Sequence, residues 1–350
     1  MKKLMPGLCG LALALALAVV PIERARAADK IAMTIGYQAL WGTVGELFET
    51  LRHTNILALN GIDAKFQTFT YGGPLGEGYV AGQIDNIVAA DAPVLRGLAR
   101  RPGKVIHRTH DWRWGVVVAK DFPGTGFADL KGKTLAGPFG TTVFPRTIEK
   151  LIAAGMKDPF RELTIVNQDV TEQATALQSK LVDAVVTWDP TMSKLITMGI
   201  AKPLYESKPG EGQGWEGISQ DFIAKYGADG VVRFVKSWIM ATWWASNHMD
   251  QARAWFAETS RIPTDLLKES QMSDRYLVRP VKDIKSIDLA IDARDIADAQ
   301  AVMDFQVARN LMSNKMDVAS FVDMSYLQKA EAEIAAGKYP ALDKIAVTGK

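Results

Sequence analysis

Two stretches of this 350-residue chain, 98 positions apart, follow the same plan. Residues Gln83–Asp91 and Leu181–Asp189 each contain an Asp, then a short apolar run, then a second Asp six residues after the first, with Pro93 or Pro190 close behind. A short apolar run of this kind is typical of a strand that is buried on both faces of a parallel sheet. An Asp followed closely by Pro indicates a helix start, because Asp caps free N–H groups and Pro tolerates the first turn.

The same strand-to-helix corner, built twice, predicts two similar α/β lobes. Elsewhere in the chain, strands and helices of ordinary length alternate, which predicts βαβ units and mostly parallel sheets flanked by helices. Residues 41–57, for example, are predicted to form one helix. Ligands of open α/β sheets bind beyond the carboxyl ends of the strands, where both corners are expected. The sequence therefore predicts a two-lobe clamshell whose lobes face each other across a ligand cleft.

Two connections between the lobes can be placed from composition. The apolar, β-branched run Trp114–Ala119 is predicted to be one crossing strand, and the glycine-rich stretch Gly210–Gly217 to hold the return crossing. We therefore assign residues 28–115 and 218–350 to lobe 1 and residues 116–217 to lobe 2. Most of the chain after Gly217 is predicted to be helical.

The first 27 residues are predicted to be an export signal. Lys2 and Lys3 form a positive start, residues 8–20 are apolar except for one Gly, and residues 25–27 read Ala-Arg-Ala, an A-x-A cleavage site. The apolar run is shorter than the roughly 20 residues that span a membrane as a helix. We expect cleavage after Ala27 and a soluble protein exported to the periplasm.

Charge and cysteine content narrow the function classes. The whole chain has a formal net charge of +2, and the predicted signal carries four basic residues against one acidic residue, so the mature chain is slightly acidic. Bulk charge therefore gives no indication of nucleic-acid binding. The one cysteine, Cys9, leaves with the signal, and the four histidines lack metal-ligand spacing. We expect no catalytic residues, no metal and no cofactor.

Residues 137–142, Gly-Pro-Phe-Gly-Thr-Thr, end one predicted strand and open a helix. The hydroxyls of Thr141 and Thr142 and the unpaired N–H groups of the helix start could hold an anion, aided by the helix dipole. Arg146 could add a full charge and a forked set of donors. Ordinary capping by the two threonines, and a solvated position for Arg146, remain open.

The matching corner of lobe 1 is residues 37–43. Gln38 can both donate and accept hydrogen bonds, and Trp41 supplies a flat apolar wall with one N–H. Gly42 would let the helix start approach a ligand closely. We interpret these three residues as candidate ligand contacts.

Two acids and several tryptophans complete the candidate site. Asp91 and Asp189 would repel an anion, so each is predicted to cap its helix or to bind a cationic part of the ligand. Trp188 is expected at a strand end facing the cleft, and Trp114 at the start of a crossing strand. Aromatic walls suit an organic ligand better than a bare ion. Further candidates are Trp112, Trp215, Trp243 and Trp244.

Six motifs in order resemble the sulfonate/taurine/nitrate-type periplasmic binding proteins of ABC importers, a group that includes pyrimidine-precursor binders. The resemblance spans about residues 30 to 260. It implies that the ligand is held between the lobes and delivered to a membrane permease and ATPase by a receptor that is usually a monomer. The motifs are Ile35–Gln38, Ala81–Asp85, Asp91–Pro93, Asp129–Lys133, Pro138–Thr142 and Leu181–Ala184.

Carried over to this sequence, the resemblance implies ligand contacts at Gln38, Trp41, Asp91, Thr141, Thr142 and Trp188. Sulfonate-type members often have Ala-His where Val143 and Phe144 stand here, which makes a sulfonate less assured.

Our hypothesis is a small organic anion, a sulfonate or an aromatic or aliphatic carboxylate. Its acidic group would lie at the helix starts near Thr141–Thr142 and Gly42–Thr43, and its body on Trp41 and Trp188. Nitrate-like ions and pyrimidine precursors remain open as ligands. The alternative functions are a sensory receptor and a pyrimidine-synthase-like enzyme on the same fold, whose Cys-rich motif is missing from the mature chain.

Overall fold

The structure, a computed structural model, describes Met1 and residues 30–348. The predicted export signal and its cleavage site lie outside these residues, apart from Met1. Within residues 30–348, no helix combines the length and the apolar character needed to cross a membrane.

Ten strands lie within residues 30–348. They are β1 (Ile31–Gln38), β2 (Ile62–Phe69), β3 (Asn86–Ala90), β4 (Gly103–Asp111), β5 (Trp114–Ala119), β6 (Thr134–Gly137), β7 (Thr164–Asn167), β8 (Ala184–Trp188), β9 (Ala201–Glu206) and β10 (Gln213–Ser219). The α-helices of the first half are α1 (Val44–His53), α2 (Ile56–Leu59), α3 (Gly72–Val80), α4 (Asp91–Arg100), α5 (Val143–Ala153) and α6 (Pro159–Glu162). Those of the second half are α7 (Gln173–Gln178), α8 (Thr191–Thr197), α9 (Gln220–Asn247), α10 (Met249–Ser260), α11 (Thr264–Gln271), α12 (Ala293–Ala308) and α13 (Ser325–Ala335).

The strands form two groups. One is a five-stranded sheet in the order β7-β6-β8-β5-β9, and the other consists of the pair β1-β2 and the triple β3-β10-β4. Pairs β1-β2, β6-β7 and β6-β8 are parallel, whereas β5 and β10 are antiparallel to their neighbours. Both antiparallel strands enter their sheet directly from the other half of the molecule. The predicted two-lobe α/β fold is confirmed, and we call the half with β1 lobe 1 and the five-stranded half lobe 2.

Side chains join the two parts of the lobe 1 sheet. Asp85 Oδ2 accepts a hydrogen bond from Thr34 N at 2.7 Å, and Asp85 N donates to Thr34 O at 2.8 Å. The amide of Asn86 accepts from Gly36 N at 2.7 Å and donates to Gly36 O at 3.1 Å. The edges of β1 and β3 are thus satisfied by side chains in place of a backbone ladder, as buried backbone groups require.

The sequence repeat has the same structural role in lobe 2. Asp183, 98 positions after Asp85, accepts from Thr134 N at 2.8 Å and donates its own N–H to Thr134 O at 3.0 Å. In both lobes the first Asp of the repeat therefore joins the strand that follows it to the first strand of a βαβ unit. This equivalence explains why the two stretches share their pattern.

The lobes are connected twice, at adjacent places. Trp112 and Arg113 lead from β4 to β5, and residues 207–212 lead from β9 to β10. Trp112 N donates to Gly212 O at 3.1 Å, and Trp114 N donates to Ser207 Oγ at 3.0 Å. The two crossings therefore form one hydrogen-bonded junction.

The exact lobe boundaries remain a prediction, and we propose one adjustment to them. Gln213–Ser219 pairs with β3 and β4, whereas our assignment placed residues up to 217 in lobe 2. Likewise Trp114–Ala119 pairs with β8 and β9. We therefore propose that the crossings are the short segments before Trp114 and before Gln213.

Helix α1 shows how packing positions the cleft. Val44, Leu47, Phe48 and Leu51 follow helical spacing and are all buried. The Phe48 ring lies edge-on to Trp238 of α9, with ring centroids 4.9 Å apart. Each large side chain buried in this way contributes about 1.5–3 kcal/mol. This packing fixes the start of α1, and with it the 37–43 corner, at the edge of lobe 1.

Candidate functional site

The ten predicted ligand residues gather where the lobes meet. Eight line two adjoining cavities: an inner cavity of about 20 Å³ and an outer cavity of about 680 Å³. Gln38, Trp41, Thr141, Thr142 and Trp188 line the inner cavity. Asp91, Trp114 and Arg146 line the outer cavity, and Thr142 lines both, while Gly42 and Asp189 line neither.

Three tryptophans, Trp41, Trp112 and Trp188, form most of the apolar wall of the inner cavity, and we call them the Trp box. The ring centroids of Trp41 and Trp112 are 5.4 Å apart and those of Trp112 and Trp188 are 6.5 Å apart. Both pairs are nearly perpendicular, which is a favourable edge-to-face geometry. Trp188 Nε1 donates to Leu40 O across the cleft at 3.3 Å.

Gln38 holds lobe 1 together at the inner cavity. Its Nε2 donates to Val88 O at 2.9 Å. In lobe 2, Gln173 Nε2 makes the equivalent bond to Val186 O at 2.8 Å, and Val186 lies 98 positions after Val88. The amide group that the sequence offered as a ligand contact therefore also has a structural role common to both lobes.

The two threonine hydroxyls already have partners within the protein. Thr141 Oγ1 donates to Pro138 O at 2.8 Å, within its own turn. Thr142 Oγ1 donates to Asp91 Oδ1 and accepts from Ala92 N at 3.1 Å, so it bridges the lobes. Because Thr142 binds a carboxylate, an acidic ligand group placed there would meet a negative charge.

Asp189 fixes a helix start and the crossing together. Its Oδ1 accepts from Ser193 N at 3.1 Å and from Ser193 Oγ at 2.8 Å, which satisfies the first turn of α8. Its Oδ2 accepts from Arg113 Nε at 2.8 Å. Asp189 thus accepts a hydrogen bond from the first turn of α8, one of the two roles predicted for it, although Pro190 occupies the N-cap position. Gly42 N donates to Asp189 O at 3.2 Å, and a Cβ on Gly42 would lie 2.6 Å from Ser270 Oγ.

The outer cavity lies between α5 of lobe 2 and the segment that leads into α12 in lobe 1. Its volume of about 680 Å³ falls in the usual range of small-molecule sites. Its charged lining residues include Arg146, Glu149, Lys150, Arg275, Asp288, Asp295 and Asp298.

Three side chains that line the outer cavity each carry a buried nitrogen without a hydrogen-bond partner among the described residues. These nitrogens are Trp112 Nε1, Trp114 Nε1 and Arg146 Nε. Trp112 and Trp114 are only 6% and 1% exposed. A buried donor left unpaired costs about 1–3 kcal/mol, and a ligand recovers that energy only if its acceptors reach these nitrogens, which have almost no accessible surface in this arrangement of the lobes. Arg146 makes only a long contact to Asp91, at 3.5 Å between Nη2 and Oδ2.

Two cations, Arg146 and Lys150, lie at this end of the cavity, beside the acids Asp91 and Glu211 that also line it. Lys150 Nζ lies 4.2 Å from the ring centroid of Tyr205 and 5.8 Å from that of Trp114, which keeps its charge beside the unpaired donors. Burial raises the pKa of Glu149, against the opposing charges of Arg146 and Lys150.

Comparison with known proteins identifies the fold. No family model matches the chain. The chain is 26% identical over 289 residues to a protein of Bacillus subtilis (strain 168) assigned as an aliphatic sulfonates-binding protein, covering 79% of this chain and 81% of that protein. The alkanesulfonate-binding protein SsuA from Xanthomonas axonopodis pv. citri, solved with bound MOPS, matches with a TM-score of 0.69 and 22% identity over 85% of this chain and 99% of that one. The chain has the fold of the periplasmic sulfonate-binding proteins.

The predicted resemblance is thereby confirmed, and the fold has other uses. The periplasmic nitrate-binding protein NrtA from Synechocystis PCC 6803 matches with a TM-score of 0.69 and 13% identity, covering 90% of this chain and 92% of that one. The desulfurization enzyme DSZB matches with a TM-score of 0.60 and 15% identity, covering 87% and 99%. A sulfonate-binding-protein fold alone therefore does not decide between binding and catalysis, and the site has to decide.

Several residues that line the two cavities were not predicted as ligand contacts from the sequence. Trp112 was only a further candidate, although it lines both cavities. Lys150 was not singled out, yet it lies four residues after Arg146 and so shares its helix face, a signal that the sequence contains. Arg275 and Asp298 gave no signal, because their segment reaches the cavity only through the tertiary fold.

Proposed function

We propose that this protein is the periplasmic substrate-binding component of an ABC importer and holds a small organic anion between its lobes. The observation that carries the proposal is a cavity at the meeting of the lobes whose lining side chains Trp112, Trp114 and Arg146 each hold a buried nitrogen without a hydrogen-bond partner among the described residues. The names of the sulfonate-binding relatives support the same ligand class. Delivery of the ligand to a membrane permease and ATPase would complete the function.

The donors suit the oxygens of a sulfonate or carboxylate. Each tryptophan N–H can donate one hydrogen bond, and the guanidinium adds a charge-assisted bond. A bare ion such as nitrate would leave most of the 680 Å³ cavity to water. We therefore favour an organic anion whose body fills that space. The relatives give the alternatives, a pyrimidine-synthase-like enzyme and a sensory receptor, no comparable support.

The test is a binding screen by thermal shift followed by calorimetry. The panel holds alkyl and aryl sulfonates, the matching carboxylates, nitrate and pyrimidine precursors. A ligand at about 100 times its dissociation constant adds roughly 2.7 kcal/mol of stability. We expect one organic anion class to raise the melting temperature.

Arg146→Met tests the proposed anion contact. Loss of one charge-assisted hydrogen bond should weaken binding about 10- to 100-fold. The matched control is Arg161→Met on α6, because the Arg161 side chain is 88% exposed and lies outside both cavities. Absence of any anion-induced shift, in protein shown by denaturing mass spectrometry to carry no ligand, would overturn the proposal.

A further inference from the structure

We propose that Arg96 is a latch between the lobes that sets how tightly the receptor holds a ligand without selecting which ligand it holds. A latch here means a contact that stabilises the closed arrangement of the lobes and does not touch the ligand. The consequence for binding rests on the proposed function, whereas the latch itself can be tested without a ligand.

The latch contact lies between helix α4 of lobe 1 and the turn that joins β6 to α5 in lobe 2. Arg96 Nη2 donates a hydrogen bond to the backbone oxygen of Gly140 in that turn. Thr142, two residues later, bonds Asp91 at the start of the same helix. Helix α4 and the turn therefore meet at two places, and Arg96 supplies the solvent-exposed one. Its donor is charged, and charge-assisted hydrogen bonds are the stronger kind.

A third element holds the Arg96 side chain in place from within lobe 1. Its Nη1 donates to Gln306 Oε1 of α12 at 2.8 Å, and Gln306 is only 3% exposed. Helix α12 belongs to the part of the chain assigned to lobe 1. Opening of the lobes would therefore break the bond to Gly140 and leave the bond to Gln306 intact. A guanidinium positioned in this way loses less side-chain entropy when the lobes close.

Arg96 lies outside the ligand site. Thr142 and Trp188 also bond across the cleft, but each lines a cavity, so a change in either alters the wall that faces a ligand. Neither Arg96 nor Gly140 lines the inner or the outer cavity. Closure of the lobes and contact with the ligand can therefore be separated at Arg96.

A latch of this kind changes the affinity for every ligand by the same factor. The apparent dissociation constant of a ligand that binds the closed form is inversely proportional to the fraction of closed protein. An exposed hydrogen bond of this type should change that fraction roughly 3- to 10-fold. Since Arg96 lines neither cavity, the ratios between the affinities for different ligands should stay the same.

The first test needs no ligand and measures the distance between two spin labels, one in each lobe. Lys65→Cys on β2 and Thr164→Cys on β7 place the labels at exposed positions, and residues 28–350 contain no native cysteine. These two strands end beside each other across the cleft, since Thr70 Oγ1 donates to Asp169 Oδ2 at 3.4 Å. In the ligand-free wild type, double electron–electron resonance should show a longer main distance and a minor population at the distance of this structure.

Arg96→Met should reduce that minor population roughly 3- to 10-fold. Arg100→Met is the matched control, because Arg100 lies about one turn later on α4 and its side chain is 53% exposed. Arg100 Nη2 donates to Glu77 Oε2 at 3.0 Å, within lobe 1, so this variant should keep the minor population. Equal minor populations in Arg96→Met and the wild type would overturn the latch, and so would a ligand-free wild type that lacks the shorter distance.

The second test measures the binding of ethanesulfonate, benzenesulfonate and benzoate by calorimetry. Arg96→Met should weaken each probe that binds the wild type by one common factor of roughly 3 to 10, whereas Arg100→Met should match the wild type. Altered ratios between the probes would show that Arg96 acts on the ligand itself, which contradicts the proposal. If no anion of the screening panel binds the wild type, the receptor function is wrong, and the distance measurement still decides the latch.

Discussion

Glu46 on α1 is completely buried, and its carboxylate makes no side-chain hydrogen bond within the part of the chain that the structure describes. Burial raises its pKa to about 8, and Asp274 acts weakly in the same direction, whereas the backbone N–H groups of Glu46 and Thr43 and the charge of Arg253 lower it. The folded protein therefore favours neutral Glu46, while the unfolded chain releases the proton near pH 4.5. The resulting stability is present below pH 4.5 and is lost as the pH rises to about 8.

Glu46→Gln should remove this pH dependence, because glutamine stays neutral. We expect the free energy of unfolding of the variant to approach that of the wild type at pH 5. At pH 8 the variant should be more stable by up to about 4 kcal/mol. Urea denaturation at several pH values measures the difference.

Comparing the variant with the wild type also removes the contribution of other titrating groups to the pH dependence, because both proteins contain them. Burial lowers the pKa of His107 to about 4, which costs stability as the pH falls and is common to both proteins. Glu258→Gln, at an exposed position of α10, is the control for removing a carboxylate. If the free energies of unfolding of wild type and Glu46→Gln change in parallel with pH, the raised pKa does not belong to Glu46.

Single residues were predictable where local sequence decides their role. The role of Asp189 at a helix start follows from an acid ahead of a helix, and the structure has it. Glu46 gave no such signal, because an acid in the first turn of a helix ordinarily interacts well with the dipole at the surface. Its burial comes from α9 and α10, which lie about 200 residues later in the chain.

At the scale of elements, the join between β1 and β3 depends on one side chain. Asn86 exchanges hydrogen bonds with both backbone groups of Gly36 and donates to Glu216 Oε1 of β10 at 2.9 Å. Burial raises the pKa of Glu216 well above its usual value, so this partner is favoured in its neutral form. Asn86 thus links three strands of lobe 1.

Asn86→Leu should destabilise the protein by about 2–4 kcal/mol, because it leaves buried groups on Gly36 and Glu216 unpaired. Chemical denaturation measures the loss. Asn167→Leu is the matched control, since Asn167 is exposed and its side chain accepts one hydrogen bond among the described residues, from Phe139 N. Equal losses of unfolding free energy in the two variants would show that the contact between β1 and β3 through Asn86 does not contribute to stability.

Elements were predictable except where distant chain segments intervene. The sequence predicts one helix over residues 41–57, whereas the structure has α1 and α2 with a break at Thr54. Thr54 forms a β-bridge with Val347, and Asn55 N donates to Ala346 O at 3.0 Å. The break is therefore imposed by the far end of the chain, which local periodicity cannot reveal.

For the whole molecule, the structure shows the lobes in contact. Thr142 bonds Asp91, Trp188 bonds Leu40 O, and Gly42 bonds Asp189 O, all across the cleft. A ligand of the outer cavity would favour this closed arrangement over an open one, because it touches both lobes.

We expect the ligand-free protein in solution to be more expanded than this structure and the ligand-bound protein to match it. Small-angle X-ray scattering with and without the best ligand of the screen measures the change. Arg146→Met, at a ligand concentration that saturates only the wild type, should stay expanded. Identical curves for free and saturated wild type would rule out closure.

The two-lobe plan was predictable because it repeats in the sequence, and the cavities were only partly so. The inner wall comes from the two repeated corners, which local patterns identify. One side of the outer cavity comes from residues 275–298, whose packing against β4 depends on contacts such as Arg275 with Asp111. No periodic pattern marks such a segment as part of a site.

The junction between the lobes has a consequence for protein engineering. Trp112 N and Gly212 O are 3.1 Å apart although a hundred positions separate them in the chain. Lobe 2 is therefore one uninterrupted cassette, inserted into lobe 1 at a single point, and neighbouring chain ends of this kind tolerate insertion and exchange. Exchange of that cassette between relatives would replace the cleft wall that lobe 2 supplies and leave the wall from lobe 1 unchanged. Recombination could therefore vary the two ligand-contacting walls independently.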